Sequence, residues 1–234
     1  MTGPDLVPAT LRRVPELPWP SLSYRDALAA LVAAGWLPCG AGDWAVGLRS
    51  PDGSLVARVC PFDPAYRAFV DLCRACAGNR WLPRIEAVVE LEGGASVVFL
   101  EFLAPVDREL AEQVAGQWRR GEGDGEFAAV RSAAEEINAR YERSTPWWDG
   151  FDLNAAHVRR SADGRLVLID VFCMDGASLY AGILEDVAQV HRRVPRDRMR
   201  YALEIPYIAR ESTAAEIRAL RSAWERAEGA GATR

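Results

Sequence analysis

The chain has 234 residues, half of them hydrophobic and 26% charged, with a formal net charge of −5, which fits an ordinary globular protein of one large domain or two small lobes. All 28 basic residues are arginine, scattered along the chain, so neither a lysine Schiff base nor a basic nucleic-acid-binding face is indicated. No apolar run reaches the length of a membrane span, residues 1–20 lack a signal-peptide core, and five cysteines are an odd number for a disulfide framework; cytoplasm is the expected compartment, with no membrane partner.

Residues 1–22 are proline-rich and expected to be an irregular arm. Ser23 is placed to cap a short helix that runs to about Ala34 and stops at Gly35. Strands are expected at 44–49 and 54–60, joined by the turn Ser50-Pro51-Asp52-Gly53. Asp63 and Pro64 open a helix to about Ala77, with Tyr66, Phe69, Val70 and Cys73 on one face. Cys73 and Cys76 have CxxC spacing, but no second pair completes a zinc site, which favours buried thiols. Two more strands, 84–90 and 96–103, flank a Gly93-Gly94 turn. The expected order is strand, strand, helix, strand, strand.

Residues 105–141 read as helical around a polar, glycine-rich loop at 121–125, with 127–141 as a long buried helix. After residue 172 the chain is mainly helical, at 179–192, 197–203 and 212–228, with His191 expected to be solvated among arginines.

The segment 151–172, FDLNAAHVRRSADGRLVLIDVF, is the most informative. A turn at Asp163-Gly164 pairs short strands at 157–160 and 165–169, which brings Asp152 and Asp170 to one mouth of the fold. Two carboxylates there repel each other unless a cation lies between them. The order of Asp152, His157, hairpin and Asp170 resembles the phosphoryl-transfer centre of protein kinases and aminoglycoside-phosphotransferase-like enzymes. Those families have Asn where this chain has His157, and Asp-Phe-Gly where it reads Asp170-Val171-Phe172. Upstream, Gly40-Ala41-Gly42 sits where the loop over the ATP phosphates belongs. Arg58 occupies the place of the phosphate-binding lysine, and the segment from Glu101 through Leu103 to Pro105 resembles the adenine hinge.

The resemblance implies an α+β, two-lobed protein-kinase-like fold: an arm and helix (1–35), a small antiparallel-sheet N-lobe (36–104) and a compact, mainly helical C-lobe (105–234). It implies ATP with Mg²⁺ or Mn²⁺ as cofactor, and an unknown small-molecule or peptide hydroxyl as acceptor. Asp152 would be the base and Asp170 would hold the metal. Gly40, Gly42, Arg58, Glu101 and Leu103 would bind the nucleotide. His157 is either a metal ligand or a structural partner of Asp152, since imidazole suits Mg²⁺ poorly. The carboxylate pairing Arg58 is Asp71 or Asp63. Trp147 and Trp148 read as core or cleft aromatics, and the acidic stretch 121–126 as a solvated loop or a contact for a cationic acceptor. Three functions remain open: an ATP-dependent phosphotransferase; a catalytically impaired, pseudokinase-like regulator that binds a nucleotide or a partner; or transfer of another group from ATP, such as a nucleotidyl group, on the same scaffold.

Overall fold

The computed structural model describes residues 14–231; residues 1–13 of the expected arm lie outside them. Residues 14–22 are irregular apart from a 3₁₀ turn at Trp19–Ser21. Helix α1, Tyr24–Ala33, is capped by Ser23, whose hydroxyl accepts the Asp26 N–H and donates to the Asp26 carboxylate. Gly35, at φ +87°, ends it.

Five strands form one antiparallel sheet: β1 Leu37–Ala41, β2 Val46–Arg49, β3 Leu55–Cys60, β4 Ile85–Glu90 and β5 Ser96–Glu101, in the order β1-β2-β3-β5-β4. Strand β1 corrects the sequence reading, which expected only two strands between the first helix and the helix that opens at Asp63. That helix, α2 Pro64–Ala75, starts at Asp63 as expected.

Strand alternation decides what each face of the sheet carries. Leu55, Ala57, Val59, Val97 and Phe99 point to an outer cluster with Trp19, Ala27, Leu31 and Trp36. Val98 and Leu100 point inward, to Tyr66, Phe69, Val70 and Leu72 of α2 and on into the helical half. Each such large apolar side chain, fully buried, contributes about 1.5–3 kcal/mol. Arg58 pairs across β3–β5 with Val98, so it projects into the inner side of an otherwise apolar sheet.

The C-terminal half contains β6 Ala104–Pro105, α3 Arg108–Arg120, α4 Gly125–Glu142, β7 Trp148–Phe151, β8 Val158–Arg160, β9 Leu166–Leu168, β10 Phe172–Met174, α5 Gly176–Arg193, α6 Pro206–Glu211 and α7 Ala214–Gly231. The β8–β9 hairpin turns at Gly164, φ +86°, and pairs with β6, while β7 pairs with β10. Residues 197–203 differ from expectation: they hold two 3₁₀ turns, Arg196–Arg198 and Ala202–Glu204, and no α-helix. His191 also departs from its expected place in solvent, because its ring packs edge-on against Trp224 at 4.8 Å. The class is α+β, an antiparallel sheet with helices.

Candidate functional site

Arg58 leaves the inner face of β3 and lies over the Tyr66 ring, its Cζ 3.6 Å from the centroid. Its Nη2 donates to Asp63 Oδ2 at 2.6 Å and lies 3.6 Å from Asp170 Oδ2. Its Nη1 is buried and has no hydrogen-bond partner among the described residues. A guanidinium donor buried without an acceptor is costly, which marks this point as suited to an anion. Of the two carboxylates the sequence offered as partners of Arg58, the structure selects Asp63. Asp71 instead accepts Arg140 Nη2 at 2.7 Å and the Tyr141 hydroxyl at 2.9 Å, on the side of α2 that meets α4.

Asp170 follows β9 with φ 56°, a left-handed conformation that non-glycine residues adopt rarely and aspartate more readily than most. Burial pushes its carboxyl up to about 7; Arg58 pulls it down, while Asp63 and Asp152 push it further up. A carboxylate so placed favours a further cation.

Asp152 is exposed. Its N–H donates to the Val171 carbonyl at 3.1 Å, which ties the loop to the residue after Asp170. Asn154 Nδ2 donates to Asp152 Oδ1 at 3.3 Å. His157 Nδ1 meets the Asp152 carbonyl oxygen at 2.5 Å. A carbonyl only accepts, so Nδ1 carries the proton and Nε2 the lone pair. Burial, with Arg159 nearby, holds the imidazolium pKa below its ordinary value despite the Asp152 carboxylate. The spacing of Asp152, His157 and Asp170 thus translates into proximity, and His157 braces the loop through the backbone. Among the described residues, no three His, Cys, Asp or Glu side chains come together as a metal cage.

The glycine segment is divided by the structure. Gly40 lies in β1, and Gly42 in the β1–β2 turn donates its N–H to the Ala45 carbonyl at 2.9 Å. A Cβ added at either would meet nothing within 4 Å. At the hinge, the Glu101 N–H is engaged by the Arg84 carbonyl at 3.0 Å. The Glu101 carboxylate accepts two bonds from Arg165 Nη2 at 2.7 and 2.8 Å and the Arg84 N–H at 2.9 Å. Glu101 is therefore a cross-tie between the sheet and the β8–β9 hairpin. A cavity of about 380 Å³ opens beside the Asp152 loop, between Val106 and Ala111 on one side and Ala155, Ala156 and Arg159 on the other.

Other expectations resolve more simply. Trp148 donates to Asn138 at 2.9 Å and packs against Tyr141 and Phe172, and Trp147 packs on the same core with φ 58°. The acidic stretch 121–126 is committed within the protein: Asp124 caps α4 and pairs Arg80, Glu126 also pairs Arg80, and Glu122 pairs Arg120. Cys73 is buried, and all five cysteines are free thiols. Sequence reasoning missed Asp149 and Cys173. Burial pushes the Cys173 thiol up to about 12, and Asp149, Asp152 and Asp170 all add to the rise. Their clustering inside 149–175 was the available signal.

No protein-family model matches the chain, and no curated protein matches it in sequence. Among solved structures it is similar to the aminoglycoside phosphotransferase APH(3'')-Id from Streptomyces rimosus, with 14% identity and a TM-score of 0.37, over 84% of this chain and 96% of that one. That likeness is too distant to bear on activity or substrate.

Proposed function

We propose that the chain is a two-lobed, kinase-like phosphotransferase that moves a phosphoryl group from ATP to a hydroxyl of a small molecule or peptide. The observation that carries this reading is the buried, unpartnered Nη1 of Arg58, on the guanidinium whose Nη2 lies 3.6 Å from Asp170 Oδ2. An orphan cationic donor beside a carboxylate with a raised pKa suits an anion and a cation together, as in a nucleotide phosphate with Mg²⁺ or Mn²⁺. In this reading Arg58 holds phosphate oxygens, Asp170 holds the divalent ion, and Leu103 lies against the adenine. Asp152, exposed and oriented by Asn154, takes or orients the acceptor hydroxyl proton. His157 positions the loop and leaves Nε2 as the one ring nitrogen free to meet a cation. Gly40 and Gly42 give the turn above the phosphates its freedom of conformation. The bound metal would supply charge neutralisation between the phosphates.

A second reading, a nucleotide- or partner-binding regulator with impaired catalysis, draws support from the backbone bond that occupies His157 Nδ1 where the families its sequence resembles have an Asn metal ligand. The two separate on Asp152→Ala, assayed for ATP consumption with hydroxyl acceptors. The phosphotransferase loses most turnover while keeping nucleotide affinity, because the base acts on the acceptor. Equal background hydrolysis in wild type and variant, alongside clear nucleotide binding, leaves the regulator. Among the described residues no helix is long and apolar enough to cross a membrane.

A further inference from the structure

We infer that the β1–β2 turn, residues 42–45, is a clasp that α6 holds shut over the Arg58–Asp170 site, and that nucleotide is admitted when the clasp opens. This rests on the phosphotransferase reading.

The turn is anchored at both ends. On the sheet side, the Trp44 carbonyl accepts the Cys60 thiol at 2.9 Å, two residues along β3 from Arg58 and on the same face. That ties the turn to the strand and the sheet face that carry Arg58. On the other side, the Tyr207 N–H donates to the Asp43 carbonyl at 2.7 Å, and Arg210 pairs with the Asp43 carboxylate. The Trp44 and Tyr207 rings are nearly parallel, 10° apart with centroids at 6.2 Å, and Tyr207 stacks in turn on Tyr180 of α5 at 6.0 Å. Gly176 makes room for both rings: a Cβ there would come within 3.1 Å of Tyr207 and 3.5 Å of Trp44.

The closed turn is the wrong shape for phosphate. It presents the Asp43 carboxylate, already held by Arg210, near the His157 ring. Its Gly42 N–H is already bonded to Ala45. Nor does the closed turn need its glycines: neither Gly40 nor Gly42 has a positive φ, and space surrounds both. Glycine is useful there only in a second conformation, one that turns N–H groups towards a ligand. Nucleotide affinity is then reduced by the fraction of molecules whose clasp is open.

Tyr207 supplies a direct reporter. It lies in the first turn of α6, where an N–H has no intrahelical acceptor, so its protection from hydrogen exchange follows its bond to Asp43. The experiment measures exchange at the residue 207 amide, and the Kd of ATP with Mg²⁺, for wild type, Arg210→Ala and Tyr207→Ala. Arg210 is exposed, so its loss leaves the core untouched. Arg210→Ala is expected to speed exchange and tighten the nucleotide Kd by about threefold each, the effect of an exposed ion pair. Tyr207→Ala, which also loses the ring stack, should do more of both. Unchanged exchange in both variants overturns the clasp. So does faster exchange with equal or weaker nucleotide affinity. If none of the three proteins binds nucleotide although exchange responds, the phosphotransferase reading fails, and the gating role falls with it while the contact to α6 stands.

Discussion

Asp63 makes two bonds at once: its carboxylate accepts the Tyr66 N–H at 3.1 Å, capping α2, and pairs with Arg58 at 2.6 Å. Both side chains are largely buried, at 2% and 13% exposure, so the start of the helix and the site's cation form one unit. Asp63→Ala removes the cap and leaves Arg58 facing Asp170 alone. Breaking a buried pair costs about 3–5 kcal/mol and losing a cap about 1 kcal/mol. For a chain of this length the melting temperature should fall by roughly 10 °C or more. Asp71→Ala, at a more exposed carboxylate, should cost far less. Equal losses in thermal melts would refute the assignment of Asp63 as the partner.

The Glu101–Arg165 pair locks the β8–β9 hairpin to the end of β5, with both side chains below one-fifth exposure. Arg165→Ala, which leaves a largely buried carboxylate with Arg84 alone, should cost about 2–4 kcal/mol in urea unfolding. A double-mutant cycle with Glu101→Gln should return a coupling of about 1–3 kcal/mol. Additive effects would mean that the cross-tie does not hold the hairpin.

Asp170 gives the stability a particular dependence on pH. Its carboxyl is raised to about 7 in the folded protein by burial, so the folded state holds the proton more tightly than the unfolded chain does. The group therefore does not penalise folding below about pH 4, and its burial penalty grows as pH rises towards about 7. With chelator present, Asp170→Asn should be no more stable than wild type at pH 4 and more stable at pH 8. Asparagine also tolerates the left-handed backbone at this position. Melting curves for both proteins at pH 4, 6 and 8 check this; a difference that does not change with pH would contradict it.

The parts of the fold with side-chain periodicity were legible in the residues. Helix α2 shows its apolar face, and β3 and β5 carry β-branched and aromatic runs buried on both sides. Strand β1, with Pro38 and Gly40, is exposed throughout and is held by backbone pairing to β2, so no pattern announces it. Helix α6 has six residues, too few to show a helical period. The site divides in the same way. Spacing was enough to bring Asp152 and Asp170 together, because a tight hairpin fixes the geometry between them. The choice of Asp63 over Asp71 depends on how α2 is rotated against α4, and the engagement of Asp43 by α6 on packing across the whole chain, which local sequence does not encode.

His157 tests the loop itself. His157→Asn removes the bond to the Asp152 carbonyl, a loss of about 0.5–1.5 kcal/mol. The variant should melt a few degrees lower and show no gain in Mg²⁺-dependent turnover. Higher turnover with unchanged stability would instead make position 157 a metal ligand.

The central claim, an anion and cation site built on Arg58 and Asp170, is met most directly by calorimetric titration of ATP with and without Mg²⁺ into wild type and Asp170→Asn. The expected result is Mg²⁺-dependent binding to wild type and loss of that dependence in the variant, which remains folded. No binding to wild type at millimolar ATP, or the same Mg²⁺ dependence in both proteins, would contradict the account.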